Sequence, residues 1–407
     1  MRLRYQYRVY PTSGQVERLA RLFGCVRTVW NDALEQIIPI KRSNKLLGPP
    51  RSRLAEGPYR RVPNSYDLYR PLVSEARRTP EREWLREVAA VPLQQTLRHL
   101  DRAWKAHEDS KSGKRKGPHV GAPKFKSRRD GRQSACFTRT SGWKVTEAGR
   151  LSLPKVGEIP VVWSRSLPAP PSSVTIIKDA SDRYFASFVV TVENTPMPDT
   201  DDDVAIDLGL THFAVLSDGT RIANPRFLRR AERKLRKAHR SISRKQKGSN
   251  NRAKARLRLA RTHAQVTDAR RDFQHKLSTR IIRENQTVYA EDLDVRSLLS
   301  CSRSAKSVHD AAWSTFLRML TYKASLHGRT FHKVDRFLPT TQTCSQCASI
   351  NGPKSLHVRT WQCRKCATIH DRDVNASLVI LAAGRAERIK ACGGIVSPTA
   401  RAVGVSQ

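Results

Sequence analysis

Val204-Ala205-Ile206-Asp207-Leu208-Gly209-Leu210-Thr211-His212-Phe213-Ala214-Val215-Leu216-Ser217-Asp218-Gly219 reads as an apolar strand, a tight turn at Gly209, a returning strand and a second turn. The hairpin carries a carboxylate in its first arm, at Asp207. Apolar strands do not ordinarily carry acids, because an unpaired buried carboxylate is costly unless a cation holds it. Asp207 therefore has two readings, a turn residue or a ligand, and the rest of the chain must choose between them.

Downstream, residues 226–276 hold 19 Lys+Arg against three acids, a net +16, with long stretches free of proline. The pattern predicts extended helices with one strongly basic face, broken at Lys247-Gly248-Ser249-Asn250-Asn251. That charge exceeds what solubility requires and predicts nucleic-acid contact with steep salt dependence. A buried-strand pattern returns at Thr287-Val288-Tyr289-Ala290 and stops at Glu291-Asp292-Leu293. Neighbouring strand residues face opposite ways, so only one of Glu291 and Asp292 can point into a site. An amphipathic helix (Ala312, Trp313, Phe316, Leu317, Leu320, Ala324) and a strand near Phe331 to Val334 follow.

Cys344-x2-Cys347 and Cys363-x2-Cys366 then supply four thiolates in two knuckles, the spacing that closes a tetrahedral Zn²⁺ site in a zinc ribbon. With every position taken by sulfur the zinc is expected to be structural. A redox dithiol and an iron–sulfur site are the competing readings of the same spacing. Beyond it His370-Asp371-Arg372-Asp373 opens a final helix from about Val374 to Ala383. Asp373 is the third acid in a position of interest, with Asp371 as its runner-up and His370 as a possible ligand or proton carrier. A cluster of Asp207, Glu291 and Asp373 would predict bound Mg²⁺ or Mn²⁺, two of which can activate a water for in-line attack on a phosphodiester, although the sequence does not bring the three together. Singly, Glu291 reads equally well as a solvated strand end and Asp373 as an acid favoured by the helix dipole.

Upstream of the hairpin, Tyr5-Gln6-Tyr7-Arg8-Val9-Tyr10 alternates as a strand. Leu19, Leu22, Val26, Trp30, Ala33 and Ile37 then mark an amphipathic helix from Gln15 to Ile38. Residues 41–82 are polar and rich in proline and arginine, and Pro92 opens a second periodic run through Leu93, Leu97, Leu100 and Trp104. Between Lys111 and Arg132 lies a loop with nine basic residues, one acid and Phe125. Short strands near Leu151–Pro154, Val161–Trp163, Val174–Ile177 and Tyr184–Val192 suggest a small barrel or sheet, joined by the first strand. Asn194 to Asp203 is a linker, with the boundary near residue 198. Trp30, Trp104, Phe125 and Phe137 are candidates for base stacking, although Trp30 and Trp104 fall on apolar helix faces.

The composition agrees with this division. Over 407 residues, 76 Lys+Arg face 36 Asp+Glu for a net +40, which implies a polyanionic partner rather than a small-molecule substrate. At 38% hydrophobic residues the chain can build real cores. No run approaches a membrane span and the start lacks a signal-peptide pattern, so an intracellular protein with reduced cysteines and no membrane partner is expected.

The order of these elements, together with Arg270-Arg271-Asp272-Phe273-Gln274-His275-Lys276-Leu277, Val288-Tyr289-Ala290-Glu291-Asp292-Leu293 and His370-Asp371-Arg372-Asp373-Val374-Asn375-Ala376, resembles the TnpB (OrfB) family of insertion sequences, relatives of type V CRISPR effectors. Tyr7-Arg8-Val9-Tyr10-Pro11, Gly121-Ala122-Pro123-Lys124-Phe125-Lys126 and Leu151-Ser152-Leu153-Pro154-Lys155 extend the resemblance to the N-terminal half. Ala348 stands where the family often has glycine, and Thr340-Thr341 stand where serine is commoner. The stretch Lys41 to Pro80 matches little of the family, which leaves the readers of a target-adjacent motif unassigned.

The resemblance implies a mixed fold: a split RNase H-like (RuvC) nuclease domain at 198–337 and 370–392, interrupted by a zinc ribbon at 338–369. Ahead of it come a wedge β-barrel at 1–12 and 109–197 and a helical recognition module at 13–108, and residues 393–407 form a tail. It makes Asp207, Glu291 and Asp373 the catalytic Mg²⁺ ligands of an endonuclease that uses a guide RNA from the transposon end to cut double-stranded DNA beside a short motif in a prokaryotic, nucleoid-associated setting. The candidate nucleic-acid contacts are Arg229, Arg230, Lys234, Lys237, Arg240 and Lys245, then Arg270, Arg271 and Lys276, with Lys124 and Lys126 in the upstream loop. The competing functions are an RNA-guided DNA-binding regulator that does not cut, a guide-independent transposase and a plain zinc-ribbon binding protein.

Overall fold

The computed structural model of the chain describes residues 1–47, 60–300, 304–355 and 357–391, and it divides into two compact units, Met1–Val192 and Glu193–Gln407. The division falls ahead of the expected boundary near 198 because the linker is tied to the second unit: the Thr195 and Met197 amides donate to the Leu326 and His327 carbonyls, and Arg329 donates to the Pro198 carbonyl. The tail at 393–407 and most of the unassigned segment's first half lie outside the described residues.

In the first unit the strand β1 (Arg2–Val9) enters α1 (Ser13–Leu47), followed by α2 (Ser65–Tyr69) and α3 (Ala90–Lys111). Six strands follow: β2 (Gln133–Thr138), β3 (Lys144–Val145), β4 (Arg150–Leu153), β5 (Gly157–Val162), β6 (Ser173–Lys178) and β7 (Tyr184–Thr191). They form one sheet in the order β2-β6-β7-β1-β5-β4-β3, with β1 joining the halves as expected from its alternation. Among the described residues no pairing joins β2 to β3, so in its hydrogen bonding the expected barrel is an open sheet. The predicted apolar faces of α1 and α3 are buried, and they share one core with Phe137, Ile159, Ile176 and Phe188 of the strands. The helical module and the sheet therefore stand on common packing.

α1 runs on past Pro39, beyond the expected end at Ile38, to a last turn that the buried Asn44 anchors by accepting from the Arg60 amide and donating to its carbonyl.

The second unit is built on a five-stranded sheet of β8 (Asp203–Asp207), β9 (His212–Leu216), β10 (Arg221–Ala223), β11 (Thr287–Glu291) and β12 (Thr330–Val334), in the order β10-β9-β8-β11-β12. β8, β11 and β12 are parallel, and the predicted hairpin places β9 antiparallel to β8. The basic segment folds as α4 (Phe227–Ser243) and α5 (Asn250–Glu284), broken where the glycine-containing turn predicts. Two short helices, α6 (Val295–Ser300) and α7 (Ala305–Ala311), precede α8 (Trp313–Leu326).

Strand alternation divides this unit into layers. Val204, Ile206, Val288 and Ala290 face a core of α5 and α8 residues, Leu277, Ile281, Phe316 and Leu320 among them. Ala205 and Tyr289 face the other way, against Ile380 of α9 (Arg372–Ala391). A hairpin of β13 (Thr360–Gln362) and β14 (Ile369–Asp371) leads into α9. Among the described residues no helix is long and apolar enough to cross a membrane.

Candidate active site and metal centre

The register of β8 against β11 sets which acid of the Glu291-Asp292 pair lies beside Asp207. Ile206 lies opposite Ala290, so the next residues in these parallel strands, Asp207 and Glu291, are neighbours across the ladder and point to the same side. That side is the one of Ala205 and Tyr289, which α9 covers. Asp373, in the first turn of α9, is thus delivered to the strand ends that carry the other two acids.

The electrostatics agree. Burial, and then the negative charges of Asp373 and Glu291, push the Asp207 carboxyl up to about 7, while Arg372 pulls it the other way. Glu291 is also raised by burial. Asp292 is committed elsewhere: Arg336 at 2.6 Å and Lys333 at 2.8 Å bond to its two oxygens and hold its carboxyl below the usual range. Asp371 caps α9, accepting from the Asp373 and Val374 amides, and pairs with Arg221 at 2.8 Å. Both runner-up acids therefore have structural work, while Asp207, Glu291 and Asp373 form an anionic group at the end of the sheet.

One cation already faces that group. The Arg359 guanidinium lies 3.3 Å from both oxygens of Asp373 and donates to the Thr211 hydroxyl at 3.0 Å. Arg359 precedes β13 between the two cysteine pairs, and no spacing or periodicity marks it in the sequence. The oxygen-only donor set fits a hard divalent cation. Among the described residues, however, only the four cysteines bring their ligand atoms within 4.8 Å of one another as a group.

Those cysteines make the second centre. Cys344 and Cys366 have Sγ atoms 3.7 Å apart, and Cys347 and Cys363 3.6 Å. A tetrahedron with metal–sulfur bonds of about 2.3 Å has edges of about 3.8 Å, so the four thiols fit one ion with no open position. Ala348 and Ala367, one residue beyond each pair's second cysteine, both adopt a left-handed φ of 58°. The glycine expected after Cys347 therefore has a backbone reason. His370 is a structural neighbour of this centre: its Nε2 lies 3.0 Å from the Cys344 Sγ, and its ring packs on Trp361.

The candidate nucleic-acid residues divide by exposure. Arg229, Arg230, Lys234, Lys237 and Arg240 are exposed along α4, which lies against α5 and buries Leu235. Lys245 lies in the α4–α5 turn, where its carbonyl accepts from Arg252. Arg271 is exposed, and Lys276 forms a surface pair with Asp272. Arg270 instead reaches the buried Asp310 at 3.1 Å, and Asp310 also accepts from the Leu228 and Arg229 amides at the start of α4. That buried carboxylate joins α4, α5 and α7, and neighbour spacing in the sequence gives no sign of it. A cavity of about 390 Å³ beside it is lined by Thr211, Arg226, Arg229 and Lys306 among others. In the first unit Lys124 is exposed, whereas the Lys126 ammonium sits 3.8 Å from the centre of the Trp30 ring and is lowered to about 8 by burial.

Three family profiles match the chain: OrfB_IS605, described as a probable transposase, over residues 187–301; a Cas12f1-like TNB domain over 313–380; and a helix-turn-helix domain over 1–42. In this chain residues 1–42 form a strand and part of one continuous helix. A Streptomyces pristinaespiralis protein named "Putative RNA-guided DNA endonuclease" is 44% identical over 97% of this chain and 92% of its own length. Escherichia coli K12 InsQ, named in the same terms, is 27% identical over 96% of this chain and 94% of its own. The Cas12f1 chain of a cryo-EM complex with sgRNA and target DNA superposes with a TM-score of 0.52 at 14% identity, covering 90% of this chain and 82% of that one, a likeness of fold. The matched profiles and the near-complete alignment at 44% identity place this chain in the insertion-sequence TnpB (OrfB) family.

Proposed function

We propose that this protein is an RNA-guided, Mg²⁺-dependent endonuclease that cuts double-stranded DNA beside a short adjacent motif, with a guide RNA drawn from its transposon end. The observation that carries the reading is the register that sets Asp207 beside Glu291 on the face where α9 brings Asp373. The names of the full-length relatives support the same activity. Under this reading the second unit is a RuvC-type, RNase H-like nuclease interrupted by a zinc ribbon, and the first is a wedge with a helical recognition insert. The protein then works beside chromosomal DNA in a prokaryotic cytoplasm.

Asp207, Glu291 and Asp373 would hold Mg²⁺, which when bound supplies an activated water and stabilises the leaving oxygen. The three carboxylates would hold the cation at the end of the sheet, and Arg359, 3.3 Å from Asp373, balances part of their charge. The cysteine centre would hold structural Zn²⁺ and lock the hairpin from which α9 departs. The exposed cations of α4 would contact guide and heteroduplex backbones without reading their sequence.

The test is plasmid cleavage in Mg²⁺ by protein co-expressed with its native downstream DNA, on a matched and a scrambled target. Cutting confined to the matched plasmid is expected. Asp207→Ala and Glu291→Gln should lower it at least 1,000-fold, on the order expected for lost metal ligands, and leave nucleic-acid affinity within about twofold. Wild-type cutting by both variants would refute the assignment. Processing of element ends without a guide would establish the transposase instead.

A further inference from the structure

We propose that Phe125 is a platform on which an unpaired base of a single-stranded nucleic acid stacks, a proposal that rests on the nucleic-acid reading above. Of the four aromatic residues that the sequence offers for stacking, Phe137 and Trp30 are buried, and Trp104 is partly buried with the Lys41 ammonium over its ring. Phe125 is 56% exposed.

Its exposure is arranged by contacts on both sides. The Trp30 indole donates to the Lys124 carbonyl at 2.9 Å, so α1 holds the residue before Phe125. Asn31, next on α1, donates to the Lys126 carbonyl at 3.0 Å and accepts from the Lys126 amide at 2.8 Å, so it holds the residue after. The Lys126 ammonium lies on the Trp30 ring and closes the clamp. Both neighbours of Phe125 are thus fixed to a helix that belongs to the core, while the ring between them stays in water.

An aromatic face held still is an efficient binding element, because little conformational entropy remains to be lost. The charge around it selects the partner. The loop carries nine basic residues and one acid between Lys111 and Arg132, and that acid, Asp130, accepts from the Ser127 amide. Lys124, Arg128 and Arg129 are exposed in the same loop, within four residues of Phe125 in sequence. A π face flanked by cations matches a strand whose phosphates run alongside while a base lies flat, and such stacking tolerates any base. A paired base has both faces covered and does not fit.

The experiment uses the full-length protein with three fluorescent probes: a mixed-sequence 12-nucleotide RNA, the DNA of the same sequence, and that DNA fully paired. Affinities are measured by anisotropy across a salt series, and a 5-bromouridine version of each single strand is photo-crosslinked and the attached peptide mapped. Phe125→Ala is expected to weaken single-strand binding roughly 5- to 100-fold with no change in the salt slope. Duplex affinity should stay within twofold, Phe125→Trp should bind as wild type, and the crosslink should map to Phe125. Lys124→Gln should behave differently and lower the salt slope by about one. A loss confined to the RNA or to the DNA arm identifies which strand is held. Unchanged affinity of Phe125→Ala for both single strands with the crosslink elsewhere overturns the proposal, as does an equal loss on the duplex. If the wild type binds none of the probes, the nucleic-acid reading fails as a whole, a result distinct from failure at Phe125.

Discussion

Asp207 keeps its proton far longer in the fold than a free aspartate would, because it is buried and faces two other acids. Between the ordinary value of 3.8 and about 7 the folded chain binds the extra proton, so this group's contribution to stability is complete at low pH and is lost as pH rises through about 7. Asp207→Asn removes the repulsion. In EDTA, urea unfolding should find the variant more stable than wild type at pH 8 by ~1 kcal/mol or more, with the gap closing toward pH 4. Parallel pH profiles would show that the three charges do not meet. The cysteine knuckles hold a second residue-scale cost, since Ala348 and Ala367 both occupy a left-handed conformation that glycine enters freely. Ala348→Gly is expected to stabilise the metal centre by ~1 kcal/mol, read as slower zinc loss to a chelator, and a faster loss would contradict the strain argument. At this scale the four cysteines were legible from spacing alone. The acids were legible as candidates, since an acid in an apolar strand is conspicuous. Alternation alone left Glu291 and Asp292 open, the family resemblance named Glu291, and the register sets that residue beside Asp207, while Arg359 had no signature because it meets Asp373 through folding rather than through sequence proximity.

Among the elements, α9 does the most positioning, and it rests on the sheet at one close approach. A Cβ built on Gly384 would lie 2.2 Å from the Tyr289 ring, so the helix can sit this near only without a side chain there. Gly384→Ala should force α9 outward, cost ~1–3 kcal/mol in thermal or denaturant unfolding, and reduce cleavage because Asp373 moves with the helix. Zinc content should be unchanged. A fully active variant of wild-type stability would show that the ring yields. Most elements of the second unit were readable: the hairpin, the break between α4 and α5, and β11 all fall where apolar periodicity and turn residues put them. The first unit was harder. β2 was missed because Gln133–Thr138 follows a basic loop and mixes small and polar residues, so its pattern gains meaning only beside β6. The end of α1 was placed too early because the apolar periodicity runs out at Ile37, whereas Asn44, clamped on Arg60, secures a further turn.

For the whole molecule, charge is the governing quantity. A net +40, with the exposed cations of α4 set along one helix, predicts binding dominated by release of counterions. Affinity for a mixed-sequence duplex should fall about 1,000-fold or more between 50 and 200 mM salt, while a protein that recognised bases alone would show a far flatter dependence. Such a partner class could be read from composition at once. The open hydrogen bonding of the first sheet and the common core beneath it could not, since both depend on which strands meet. The wide separation of the three acids along the chain has one further consequence. On the three-acid reading, a polypeptide still on the ribosome has its first carboxylate tens of seconds, at most, before its last, and during that interval on the order of ten seconds or more it has no centre able to cut. On that reading the nascent chain is harmless to the DNA from which it is being expressed until α9, the last helix among the described residues, has docked.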